Sequence, residues 1–157
     1  MSETDLTKLM NSMQLDIEKI KQQYMEKMQE AMKTIFDSFF TTYPQVKTIY
    51  WCQWIPGFND GDECVFSVGD VNFTQIEWKD IDDPNFDDSL EEGDERIGFN
   101  GYDSPHQVDT KMKSDMRAFE NMLHSTLNDA VEATFGTNAW IRAHRDGFEI
   151  EDYDCGY

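Results

Sequence analysis

Basic side chains are scarce in this chain: 13 Lys and Arg stand against 32 Asp and Glu, for a formal net charge of −19. Binding to phosphate draws on Lys and Arg and on counterion release, so nucleic acid is disfavoured as a direct ligand, and an anionic membrane surface with it. Long apolar runs are missing too. No stretch approaches the roughly 18 apolar residues of a membrane-spanning helix. The first residues, Met1-Ser2-Glu3-Thr4-Asp5, lack the basic and apolar regions of a signal peptide, which leads us to expect a cytoplasmic protein. Cysteine is limited to Cys52, Cys64 and Cys155, an odd number without disulfide-scaffold spacing, in keeping with a reducing compartment.

Motifs that carry chemistry are also absent. There is no G-x-S-x-G elbow, no P-loop and no G-x-G-x-x-G, so we expect no enzyme. Cys52 and Cys64 have neither C-x-x-C spacing nor a companion H-x-x-x-H, and His106, His124 and His144 are scattered, so no metal site and no cofactor is expected. The Asp-rich stretches lack the alternate ligands, central Gly and final Glu of an EF-hand loop. Asn59-Asp60-Gly61-Asp62-Glu63 reads more simply as a hairpin turn.

Large apolar residues are plentiful. Eleven Phe, six Tyr and four Trp in 157 residues are too much apolar surface for a disordered acidic tail, and the length suits one core. The expectation is a single α+β domain, with two long amphipathic helices packed on an antiparallel sheet of about five strands in the order α-β-β-β-α-β-β.

Residues 1–43 read as one helix, because Leu6, Met10, Met13, Ile17, Ile20, Tyr24, Met28, Ala31, Ile35 and Phe39 recur at spacings of three and four. Such a helix spans roughly 57 Å, longer than a domain of this size is wide. Part of it must project or pack on another chain, and its first turns suit homodimerisation. Pro44 ends it. Residues 46–78 read as a β-meander with turns at Asp60-Gly61 and Gly69-Asp70, the second placing Cys64, Phe66, Val68, Val71 and Phe73 on one core-facing side. Residues 79–104 read as an acidic loop.

A second helix is expected over 105–135, capped by Ser104, with Pro105 at its first position and Gly136 beyond its end. Its stripe is Val108, Met112, Met116, Phe119, Leu123, Leu127, Ala130 and Val131. A hairpin over 138–154 turns at Asp146-Gly147, pairing Ala143 with Ile150 and setting His144 against Glu149, Arg142 against Glu151 and Trp140 against Tyr153.

The charge is unevenly spread. Between Asn59 and Ser104 fifteen acidic residues face two basic ones, Lys79 and Arg96. The candidate partner-binding residues are Asp80, Asp82, Asp83, Phe86, Asp87, Asp88, Glu91, Glu92, Asp94 and Glu95. Carboxylates there alternate with Ile81, Phe86 and Leu90, so charge would supply attraction and apolar side chains the anchor, as in mimics of the DNA backbone. The bland alternative is a solvated loop. A second candidate is an aromatic patch of Trp51, Trp54, Phe58 and Trp78, which strand alternation prevents from pointing all one way.

The stretch Trp54-Ile55-Pro56-Gly57-Phe58-Asn59-Asp60-Gly61-Asp62-Glu63-Cys64-Val65-Phe66-Ser67-Val68 resembles segments of small acidic phage-encoded accessory proteins. That resemblance implies a phage origin, the host cytoplasm as location, and no catalytic residues. Together with the charge it leads us to expect an inhibitor that occupies a basic surface of a host protein, such as one built for nucleic acid. Two alternatives stay open: a scaffolding protein that dimerises through the first helix, and a small-ligand or nucleotide binder using the aromatic cluster.

Overall fold

The computed structural model describes residues 3–56, 61, 65–86, 90–100 and 104–153, with side chains from Asp5 onward. Phe58, Asp87, Asp88, Cys64 and Cys155, the Asp60-Gly61 turn as a whole and residues 57–60 and 62–64 of the 54–68 segment lie outside the described residues. Helix α1 covers Glu3–Thr42 as a single rod. Its C-terminal half buries Met32, Phe36, Phe39 and Phe40, followed by Tyr43. Burial of such side chains contributes about 2 kcal/mol each.

Strand β1 (Thr48–Trp54) is the spine of the sheet. On one side it pairs antiparallel with β4 (Ala139–His144), which pairs in turn with β5 (Gly147–Asp152). On its other side lie two short pieces, β2 (Ser67–Val68) and β3 (Asn72–Thr74). The architecture is thus α+β with a five-stranded antiparallel sheet.

The pairing around β1 differs from the meander expected. Val68 pairs with Gln53 and Asn72 with Tyr50, so β2 and β3 do not face each other; they are two halves of one strand along β1 with a one-residue bulge between them. Gly69 lies in that bulge, its N–H donating to the Cys52 carbonyl at 2.7 Å. A Cβ at Gly69 would stand 3.0 Å from the same carbonyl oxygen and 3.0 Å from the Trp54 ring, so a side chain is disfavoured there. Like a two-residue turn, the bulge reverses the side-chain alternation. Val71 and Phe73, with Phe66 and Val68 packed against them, therefore still join the helix-side core.

The outer edge of β3 is closed by the chain itself. The Asn100 amide accepts from the Phe73 N–H at 3.1 Å and donates to the Val71 carbonyl at 2.6 Å, and the Phe99 N–H donates to the Phe73 carbonyl at 2.7 Å. One side-chain amide thus stands in for a neighbouring strand's peptide.

The second helix breaks in two. Helix α2 (Thr110–His124) begins at Asp109, whose carboxylate accepts from the Met112 N–H at 2.7 Å, rather than at Ser104. Ser104 instead accepts from the His106 N–H and closes a local turn. At Ser125 the hydroxyl donates back to the Asn121 carbonyl at 2.6 Å, competing with the ladder, and the chain restarts as α3 (Asn128–Phe135). The break keeps Leu127, Ala130, Val131 and Phe135 in the core.

Gln53, fully buried among these apolar residues, donates to the carbonyls of Val131 (3.0 Å) and Gly136 (2.6 Å) and accepts from the Trp51 indole N–H. It satisfies the end of α3 from the sheet below.

The C-terminal hairpin turns one residue earlier than expected, at Arg145-Asp146, so that His144 pairs with Gly147, Ala143 with Phe148 and Ile141 with Ile150. The shift between partners is two, an even number, so both faces keep their residues. His144–Glu149 (3.2 Å) and Arg142–Glu151 (2.9 Å) meet as diagonal neighbours rather than directly opposed ones. Trp140 faces Glu151 instead of Tyr153.

Candidate acidic interaction surface

The helices cover one face of the sheet; the acidic segment covers the other. Tyr50 and Trp140 project from that second face, and Ile81 and Phe86, both buried, sit on them with Ile76, Leu90, Cys52 and Tyr153 around the rim. The segment is polar by composition, yet its few apolar side chains form a small core of their own. Phe86 meets Tyr50 edge to face at 6.5 Å.

Arg142 fastens this strap. Its guanidinium projects from β4, donates to the carbonyls of Trp78 (3.2 Å) and Ile81 (2.8 Å), and reaches Glu151 at 2.9 Å. It also lies 4.3 Å from the centre of the Trp140 ring and 5.3 Å from that of Trp78. The strap is shaped further by its own carboxylates. Asp83 accepts from the Asn85 N–H at 2.7 Å, and Asp94 accepts from the Arg96 N–H and from its guanidinium. The Arg96 guanidinium beside Asp94 lowers that carboxyl to about 2. Gln75 and His106 both donate to the Glu95 carbonyl and tie the far end down.

The candidate residues therefore divide. Asp80, Asp82, Asp83, Glu91, Glu92 and Glu95 are exposed on the strap and form no ion pair among the described residues. Asp94 is half-buried and already paired with Arg96, so its charge is neutralised within the fold. Phe86 is not available to anchor a partner: it is 7% exposed, because the sheet beneath it is the nearest apolar surface.

The aromatic patch is likewise dispersed. Trp51 is buried on the helix side against Phe36 and Phe135. Trp54 lies on the opposite face beside Tyr153, and Trp78 stacks on His144 at 5.3 Å with 17° between the planes. Trp51 and Trp54 differ by an odd number of positions along one strand, which sends them to opposite faces.

Cys52 is half-buried on the strap side, and burial, with the nearby Asp83 charge adding, pushes its thiol up to about 12. The thiolate needed for nucleophilic or metal chemistry is thereby disfavoured. Among the described residues no three His, Cys, Asp or Glu side chains converge as a metal site requires, and no helix is long and apolar enough to cross a membrane.

One concavity was not foreseen. At the end of the sheet where α1 enters β1, a cleft of ≈ 450 Å³ is lined by Lys47, Lys79, Arg145 and His144 together with Trp78, Glu77 and Asp146. Its basic side chains come from three distant segments, so no local spacing announces it. Comparison with known proteins adds no identity: no family model, no curated protein and no solved structure matches the chain.

Proposed function

We propose that the protein is an acidic binding protein which blocks a basic surface on a host protein, a surface that otherwise receives nucleic acid, and that it serves as a phage accessory or anti-defence factor in the host cytoplasm. The observation that supports this reading is the strap. Six carboxylates stand exposed over one layer of the molecule and form no ion pair among the described residues, with Glu95 lying within the field of a cation, Arg96, while the apolar residues between them face inward. Recognition would then rest on charge rather than on apolar anchors. Association would be fast at low ionic strength and weaken steeply with salt.

The test is capture from host lysate on the immobilised full chain, with bound proteins released by rising salt or by added duplex DNA. Basic nucleic-acid-binding proteins released by both treatments are the expected result. A variant carrying Asp82→Asn, Asp83→Asn, Glu91→Gln and Glu92→Gln should fail to retain them while keeping its near-ultraviolet circular dichroism. Capture indifferent to salt and to these four changes would remove the proposal.

A further inference from the structure

Every residue of α1 from Asp5 to Tyr24 is exposed, and the helix buries side chains in the domain only farther on, from Met32. Twenty residues of helix thus stand without tertiary support. The packed half supplies the nucleus from which this stretch propagates, but the stretch gains no stability from burying its apolar face within the domain. That face is well defined: Leu6, Met10, Met13, Ile17, Ile20 and Tyr24 are spaced alternately by four and three residues and are 47–64% exposed. This is the 3.5-residue period that supercoils two helices left-handedly, with Met10, Ile17 and Tyr24 at a positions and Leu6, Met13 and Ile20 at d.

The seam stops where the domain begins. Continued past Tyr24, the same heptad falls on Lys27, Ala31, Thr34, Ser38 and Thr41, all exposed, whereas the domain is met by Met32, Phe36, Phe39, Phe40 and Tyr43. At 100° per residue the buried stripe is turned roughly a quarter of the circumference from the exposed one. One helix therefore carries two separate apolar faces. Two copies joined along the first would hold their domains on opposite flanks of the pair, clear of each other.

Charge selects both the occupant and its direction. In this register Asp16 is a g residue and Lys21 the following e residue. Parallel strands in register place each Asp16 beside the other copy's Lys21, twice by symmetry. An antiparallel pair that keeps the same six core residues in layers sets Asp16 against Asp16 and leaves Lys21 facing Thr7. The arm also lacks the cationic band of a membrane-surface helix, since Lys8, Lys19 and Lys21 are balanced by Asp5, Asp16 and Glu18. Leu9 flanks the seam at g; Leu15 lies away from it, and nothing in the fold accounts for its exposure.

We propose that residues 5–24 form a parallel two-stranded coiled coil with a second copy of this chain. The inference stands independently of the acidic-surface reading. Were both to hold, the dimer would present two acidic straps, and a partner with repeated basic sites would be held by both at once.

Sedimentation equilibrium of the full chain, from micromolar to submillimolar concentration, tests it. The expected result is a monomer–dimer equilibrium, with helical circular dichroism rising as the dimer fills. The double variant Ile17→Glu/Ile20→Glu should remain monomeric while the near-ultraviolet signal of buried Trp51 and Trp140 is unchanged. Asp16→Asn should weaken the dimer about two- to fivefold, the scale of two exposed ion pairs, and the exchange Asp16→Lys/Lys21→Asp should restore it. Tighter association of Asp16→Asn would overturn the parallel arrangement. A monomer at every concentration, a trimer or larger species, or a monomer that instead binds phosphatidylglycerol vesicles through the arm would overturn the coiled coil.

Discussion

The Arg142 guanidinium donates to the Ile81 carbonyl at 2.8 Å, joining a buried cation on the central sheet to a fully buried residue of the acidic strap. Removing the cation would strand two carbonyls, those of Trp78 and Ile81, beneath the strap. Arg142→Met should therefore cost about 3 kcal/mol in denaturant unfolding and raise amide exchange at residues 78–86 before the rest of the chain. Glu151→Gln is the contrasting variant. Its carboxylate is 55% exposed and its loss should cost less than about 1 kcal/mol. Equal effects from the two changes would mean that the ion pair, rather than the carbonyl contacts, fastens the strap.

Gly98 lies where the strap passes closest to β3. A Cβ built there would stand 2.6 Å from the Phe73 carbonyl oxygen, a backbone atom that cannot swing away. We expect Gly98→Ala to destabilise by about 2 kcal/mol or more in urea titration. Gly93 has φ of 82° and open space around it, so alanine there should cost only the ~1 kcal/mol of a left-handed residue.

High pH should destabilise the protein through two weak acids, buried Tyr43 and half-buried Cys52. Hydrogen bonding to Asp115, with burial adding, raises the Tyr43 hydroxyl from 10.0 to about 12, and burial raises the Cys52 thiol from 9.0 to about 12. Both keep their protons in the folded chain over a range where the unfolded chain releases them. Their contribution is therefore intact below pH 9 and is lost progressively as the pH climbs toward 12. Urea midpoints measured from neutral to strongly alkaline pH should fall across that window. Tyr43→Phe should start about 1 kcal/mol lower and decline less steeply.

Salt should act in the other direction. A chain of net charge −19 repels itself, and screening relieves the compact state more than the extended one. Moving from low to physiological ionic strength should raise Tm by about 2–4 °C, the equivalent of roughly 1 kcal/mol in a domain of this size. A falling Tm would show that attractive pairs outweigh the repulsion.

The elements set by periodicity were legible in the sequence. The 3.6-residue stripe foretold α1, and the alternation of Ile141, Ala143 and Phe148 foretold which side of the hairpin faces the core, although Ile150 on that same side lies beyond the helices and is exposed. Register was less legible, because a pattern of period two is unchanged by a shift of two residues, and the positive φ that Gly147 permits is used directly after the Arg145-Asp146 turn instead of within an Asp146-Gly147 turn. The reversal of alternation at Gly69-Asp70 was visible, but a bulge and a tight turn produce the same reversal; only the β1 pairing separates them.

The helix break at Ser125 left no mark, since the apolar stripe runs on unbroken through Leu123 and Leu127. The candidate site was half legible. The concentration of carboxylates can be read from composition, whereas the inward turn of Phe86 depends on Tyr50 and Trp140, residues far off in the chain that expose apolar surface for it to cover. The heptad of the arm, in contrast, is written entirely in local spacing.

The amide of Asn100 across the rim of β3 bears on how like molecules can meet. With the β3 flank occupied by the chain's own residues, the longest edge strand among the described residues is β5, where Glu149, Glu151 and Asp152 would confront their equivalents on an incoming copy. Ribbon-like stacking into fibrils is thereby resisted along β3 and along β5, and a crowded solution of this protein should stay clear.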